Sequence, residues 1–178
     1  RSTLFPYTTL FRSRDDRLQQ VIEKAKAAGM EKVTLVPVYN DILTCFQNTV
    51  SRGKSTWRYT AIDYLISSFR SNVGKLEQIS QAFPGLEILP VDCSHNQGAV
   101  RVTLEEAQKW NYTISDEEMK QVLSYLLAEI NSGEVEAGSV PSLVGDIRSI
   151  ANVGEGNAAL VDEIDQKTQA IIKEYKLR

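Results

Sequence analysis

The sequence predicts an α/β fold in which two strands of a parallel sheet are joined by crossover helices and followed by an all-helical extension. Three observations predict it. Lys32–Tyr39 holds Val33, Leu35, Val36 and Val38 in a near-continuous apolar run, the signature of a strand covered on both faces. Leu86–Val91, just after the Pro84-Gly85 break, is a second such run. The residues between them repeat apolar positions at helical spacing, and strand–helix–strand order implies a parallel pair with a right-handed crossover.

Each element follows from its local chemistry. Asp15–Ala28 has acids at its amino end, Leu18, Val21, Ile22 and Ala25 at 3/4 spacing, and Gly29 as a stop, so it reads as a helix. Pro37 lacks a ladder donor and marks a strand end or bulge. Asp41 is placed to cap a helix from Ile42 to about Arg52 with Leu43, Phe46 and Val50 on its buried stripe. Gly53–Thr56 reads as a loop. A second helix, about Ala61–Phe83, carries Ile62, Leu65, Ile66, Phe69, Val73, Leu76 and Ile79. Beyond Gly98 the expected elements are helical. They are a short helix at Leu104–Trp110, one capped by Ser115 and running through about Ile130, and two more at Pro141–Asn152 and Ala158–Lys176. Met119, Val122, Leu123, Leu126 and Leu127 form the apolar face of the second, and Asn131–Val140 reads as a linker. The expected division is an α/β part over residues 14–98 and a helical extension over residues 99–178.

Residues 1–13 stand apart. Thr3–Ser13 (TLFPYTTLFRS) has no apolar period and corresponds codon for codon to a common sequencing adapter, so it is set aside from fold reasoning as a fusion scar. An adapter fused in frame carries the expectation that an amino-terminal part of the gene is missing. Without Arg1 and Arg12 the chain has 18 Lys+Arg against 23 Asp+Glu, a net charge of −5, which argues against nonspecific nucleic-acid binding. No apolar run reaches the roughly 20 residues of a membrane helix. Cys45 and Cys93 have no CxxC spacing and His95 is the single histidine, which disfavours a disulfide framework or zinc site and fits reduced thiols in a cytoplasmic protein.

The chemistry concentrates in the crossover. Gly53-Lys54-Ser55-Thr56 has the end of a phosphate loop, but position 48, where the motif needs its first glycine, is Asn48, and amphipathic helix rather than a strand precedes it. Arg52, Lys54, Arg58 and Arg70 are the stronger signal. A guanidinium fork donates two hydrogen bonds to a phosphate at once, and a basic loop over transferring phosphates stabilises their charge. Trp57 and Trp110 read as packing residues, and Asp162, Glu163 and Asp165 as a solvated face.

The stretch from about Ala27 to Gly98 resembles the carboxy-terminal half of zeta-toxin-type P-loop kinases. Asp41-Ile42-Leu43 opens a helix after KVTLVPVYN as D-P-L does there, Arg58 in TWRYTAIDYL falls at a lid arginine, and Ser68–Leu76 (SFRSNVGKL) is similar to S-R-x-N-V-x-x-L. The resemblance implies a partial P-loop kinase-like sheet, ATP with magnesium, and a small-molecule acceptor. It makes Arg58 and Arg70 the groups on the ATP phosphates, with Arg52 and Lys54 assisting, and places Asp92, Ser94 and Asn96 near the nucleotide base. The phosphate loop and catalytic carboxylate of such kinases lie upstream of this stretch, so the fragment is expected to be inactive alone. Two alternatives are a noncatalytic helical interaction or scaffold protein of phage or mobile-element origin, with a protein partner through the helical extension, and an unrelated doubly wound domain binding a ligand at Asn40, Asp92 and Asn96.

Overall fold

The structure, a computed structural model, describes residues 15–94, 98–150 and 154–176. Residues 1–13, His95 and Asn96, which carried sequence expectations, lie outside the described residues. The fold is mixed α/β, with eight α-helices and five short strands among the described residues. They form two compact units that interleave along the chain. The described residues up to Tyr39 join Asn72–Asn111 in one, and Asn40–Ser71 joins those from Tyr112 onward in the other. The crossover helices within Asn40–Ser71 thus cluster with the later helices, while the one within Asn72–Asn111 stays with the strands.

The first unit holds the sheet. Helix α1 (Asp15–Ala27) buries Leu18 and Ile22. Strands β1 (Thr34–Leu35) and β2 (Val38–Tyr39) pair in parallel with β3 (Glu87–Ile88) and β4 (Val91–Asp92), in one constant register: Thr34 opposite Glu87, Val38 opposite Val91. Backbone bonds from Leu89, Val91 and Cys93 N–H to the Leu35, Pro37 and Tyr39 carbonyls continue the ladder across the gap. The two short pairs are therefore one parallel ladder interrupted where Pro37 and Pro90 have no N–H to give. β5 (Val100–Arg101), which the sequence did not suggest, runs antiparallel beside β4. The strands are not covered on both faces. Leu35 and Pro37 are buried while Val36 and Val38 are 49% and 59% exposed, the period-2 pattern of a sheet with one covered side. Helices α4 (Lys75–Ala82) and α5 (Leu104–Gln108) complete the unit; the latter ends two residues before Trp110, which stacks on Tyr39 at 5.2 Å.

The second unit is helical. α2 (Ile42–Thr56) is capped by the Asp41 carboxylate, which accepts from Thr44 N–H at 2.8 Å. It continues through Gly53–Thr56, the residues expected to form a loop. α3 (Ile62–Arg70) and α4 replace the single expected helix, because Gly74 adopts a left-handed φ of 69° and starts α4 afresh. α6 (Asp116–Ser132) opens with a complete capping box between Ser115 and Glu118, and buries Met119, Val122, Leu123, Leu126 and Ile130. α7 (Val140–Val144) stops at Gly145, so of the helix expected over 141–152 the described residues up to 150 hold one turn followed by a 3₁₀ turn at Ile147–Ser149, and residues 151 and 152 lie outside the described residues. Gly145 has φ 58°, and a Cβ there would lie 2.3 Å from the Asp63 carboxylate. α8 (Ala158–Lys176) has the expected bounds. Phe46 meets Tyr125 edge-on at 5.8 Å and Phe69 meets Tyr112 at 5.3 Å, contacts worth about 0.5–1.5 kcal/mol each beyond their burial. Asp162 and Asp165 are not merely solvated: Arg148 bridges both, at 3.0 and 2.6 Å.

Candidate functional site

Arg52, Lys54 and Arg58 lie at or just beyond the end of α2, whereas Arg70 ends α3. Gly53 is buried, and the ring of Tyr59 occupies the space a Cβ would need. That contact folds the chain back on the helix and turns a residue type that weakens helices into a packing site. The Ser55 and Thr56 hydroxyls donate to the Arg52 carbonyl at 2.9 and 2.7 Å, holding the last turn. Trp57 then ends the helix in the left-handed conformation (φ 58°, ψ 21°), its N–H bonded to the Gly53 carbonyl at 2.8 Å. The GKST tetrapeptide is thus helix, with its backbone amides committed to helical hydrogen bonding rather than aimed at a phosphate.

The four basic candidates occupy different environments within the helical unit. Arg58 is exposed on the five-residue connection from α2 to α3. Arg52 is exposed one helical turn or so before it, and Arg70 is half-buried at the carboxy end of α3. Lys54 is different. Its ammonium lies 2.8 Å from the Glu129 carboxylate on α6 and also pairs with Glu134. Hydrogen bonds that the ammonium donates to Glu129 and then to Glu134 raise the lysine pKa, while Lys54 holds Glu134 below the ordinary carboxylate range. Tyr125 completes the cluster, its phenol pushed up to about 12 by burial first and by Glu129 second. Lys54 is therefore a structural cation, balanced by two acids, and the expectation that it assists phosphate binding is not met by this arrangement.

Asp92 lies in the α/β unit, at the end of β4 and 9% exposed. Its Oδ1 accepts from both the backbone N–H of Ser94 (2.8 Å) and the Ser94 hydroxyl (2.6 Å), a local turn that consumes this oxygen. An open cleft of about 600 Å³ lies between α1 and α4 of the same unit, lined by Ile22, Glu23, Lys26, Ile79 and Phe83, and contains none of the predicted residues. Cys45 is half-buried, its thiol pushed up to about 11 by burial and then by Asp41, which makes it a poor nucleophile. Among the described residues no group of three or more His, Cys, Asp and Glu could hold a metal ion, and no helix is long and apolar enough to cross a membrane.

Trp57 corrects a sequence expectation. Trp110 packs, as expected, but Trp57 is 67% exposed. Neither Trp57's display nor the capture of Lys54 follows from helical periodicity or charge counting. The first depends on Tyr59 closing over Gly53, the second on two acids more than seventy residues away. No protein-family model, no curated protein and no solved structure matches the chain.

Proposed function

We propose that this chain carries the arginine-bearing crossover of an ATP-dependent small-molecule phosphotransferase of the zeta-toxin type, partial P-loop kinase-like in fold. The observation that supports it best is the placement of Arg58. It stands exposed on a short turn within the connection between two parallel strands, and Arg70 closes the following helix. Arg70 follows Arg58 by twelve residues in sequence, at the end of the nine-residue α3. Two guanidinium groups so placed would share the charge of a triphosphate. Arg52 stands by on α2; Lys54 does not contribute. Magnesium would accompany the nucleotide. The 178 residues contain no G-x-x-x-x-G-K-[ST] motif, so this polypeptide by itself is expected to bind ATP weakly and to transfer nothing.

Titration calorimetry with ATP tests the reading. The chain should bind in the millimolar to high-micromolar range, and Arg58→Ala with Arg70→Ala should abolish that binding. Binding that the double variant leaves intact, or none at all, would remove the proposal. A second reading, a noncatalytic helical scaffold, is favoured by the Lys54–Glu129–Glu134 cluster, which ties a basic group of the crossover into the structural framework.

A further inference from the structure

We infer that Trp57 is the stacking platform for the base of the nucleotide whose phosphates meet Arg58. The inference rests on the reading above and adds the base contact to it. Among the described residues Trp57 is the sole non-glycine residue with positive φ. A helix end in this conformation ordinarily takes glycine, because a Cβ there crowds the following carbonyl. The position instead carries the largest side chain available and leaves it 67% exposed, so it is unfavourable twice, in backbone conformation and in apolar exposure. Strained residues that persist because their surroundings over-determine them point to function. Here the surroundings are on view: the Trp57 N–H is fixed to the Gly53 carbonyl, and the Tyr59 ring clamps the chain onto Gly53. These two contacts hold the turn, and Trp57 and Arg58 are the exposed residues on it.

An exposed indole beside a guanidinium offers a π-face and a phosphate donor on adjacent residues, the pairing by which nucleotides are held without base-specific hydrogen bonds. The net charge of −5 left after residues 1–13 are set aside directs the site to a mononucleotide rather than a nucleic-acid strand. The inference moves the base contact away from the loop after β4, where the resemblance would put it. Asp92 there has its Oδ1 taken by Ser94, whereas Trp57 presents a wide face to solvent.

Calorimetry on the 178-residue chain with two probes, ATP and inorganic triphosphate, tests this. Trp57→Ala should weaken ATP at least tenfold, about 1.4 kcal/mol, and leave triphosphate unchanged. Trp57→Phe should restore most of the loss, and Arg58→Ala should weaken both probes alike. If Trp57→Ala leaves ATP affinity unchanged while Arg58→Ala reduces it, the stacking inference falls and the phosphotransferase reading stands. If Trp57→Ala weakens both probes equally, Trp57 positions the turn and does not stack. If the parent chain binds neither probe, both readings fall. Far-UV circular dichroism of each variant excludes misfolding as the cause of lost binding.

Discussion

Replacing Gly53 by alanine sets two effects of opposite sign against each other. In an exposed helix interior the change would stabilise by about 1 kcal/mol, because glycine has more backbone freedom to lose. At residue 53 the new Cβ would fall 2.3, 2.5 and 2.9 Å from Cδ1, Cε1 and Cγ of Tyr59. Carbon atoms rest at roughly 3.5–4.0 Å, so the ring must retreat by about 1 Å or more. The close atoms are at the base of the ring rather than at a flexible tip, and the retreat would pull the 57–60 turn with it. Overpacking of this kind costs about 1–3 kcal/mol. The net expectation is a loss of about 1 kcal/mol, a fall in Tm of roughly 2–4 °C for a chain of this size. In a Tyr59→Ala background the obstacle is gone, and the same substitution should stabilise by up to about 1 kcal/mol. The assay is a double-mutant cycle by urea and thermal unfolding. Stabilisation by Gly53→Ala in the parent chain would refute the reasoning, as would a cycle additive within about 0.5 kcal/mol. Tyr59 would then not be what carries the helix through Gly53.

Further outcomes follow from the same region. Trp57→Gly relieves the left-handed strain and should raise stability by about 1 kcal/mol, visible as a Tm increase of roughly 2–4 °C, even as it removes the displayed indole; a lower Tm would show that Trp57 packs after all. Lys54→Met leaves Glu129, 11% exposed, without its cation. Because Lys54 is itself 29% exposed, the loss should be about 1–2 kcal/mol rather than the full buried-pair penalty, and an unchanged midpoint in urea would contradict it. Glu134 is held below its ordinary value by Lys54, so its bridge contributes above the unfolded carboxylate pKa and is lost as pH falls through the lower folded value. Carboxyl NMR should show the Glu134 midpoint rising in Lys54→Met; an unmoved midpoint would mean the pair does not persist in solution.

Much of the helical framework was legible because it rests on local signals. Asp41 and Ser115 cap where a short acceptor precedes an apolar period, and the Ala158–Lys176 helix has the expected bounds. The parallel pairing was legible too, from two apolar runs flanking a crossover. What failed needed knowledge of a neighbour. Gly53 reads as the start of a loop and Gly74 as the interior of a helix, and the structure reverses both. One is packed under a tyrosine and stays helical; the other turns left-handed and breaks the helix. The strand run suggested cover on both faces because apolar content does not say whether a second layer exists, and Val36 and Val38 show that one side lacks it.

The candidate site was legible to the same depth. Arg52, Lys54 and Arg58 are one cluster by spacing, and charge counting treats them as equivalent. The fold separates them by what each faces. Lys54 points to α6, where Glu129 and Glu134 neutralise it, while Arg58 follows a helix end that Tyr59 has turned outward. A cation already balanced by two carboxylates gains little from a phosphate, since the new contact must displace the old ones. An exposed guanidinium has no such bond to break, so less is lost when a ligand arrives. The same turn that commits Gly53–Thr56 to helix leaves Arg58 and Trp57 exposed to solvent. That is why a single substitution at Trp57 or Arg58, rather than within the tetrapeptide that first draws the eye, is where ligand binding should change.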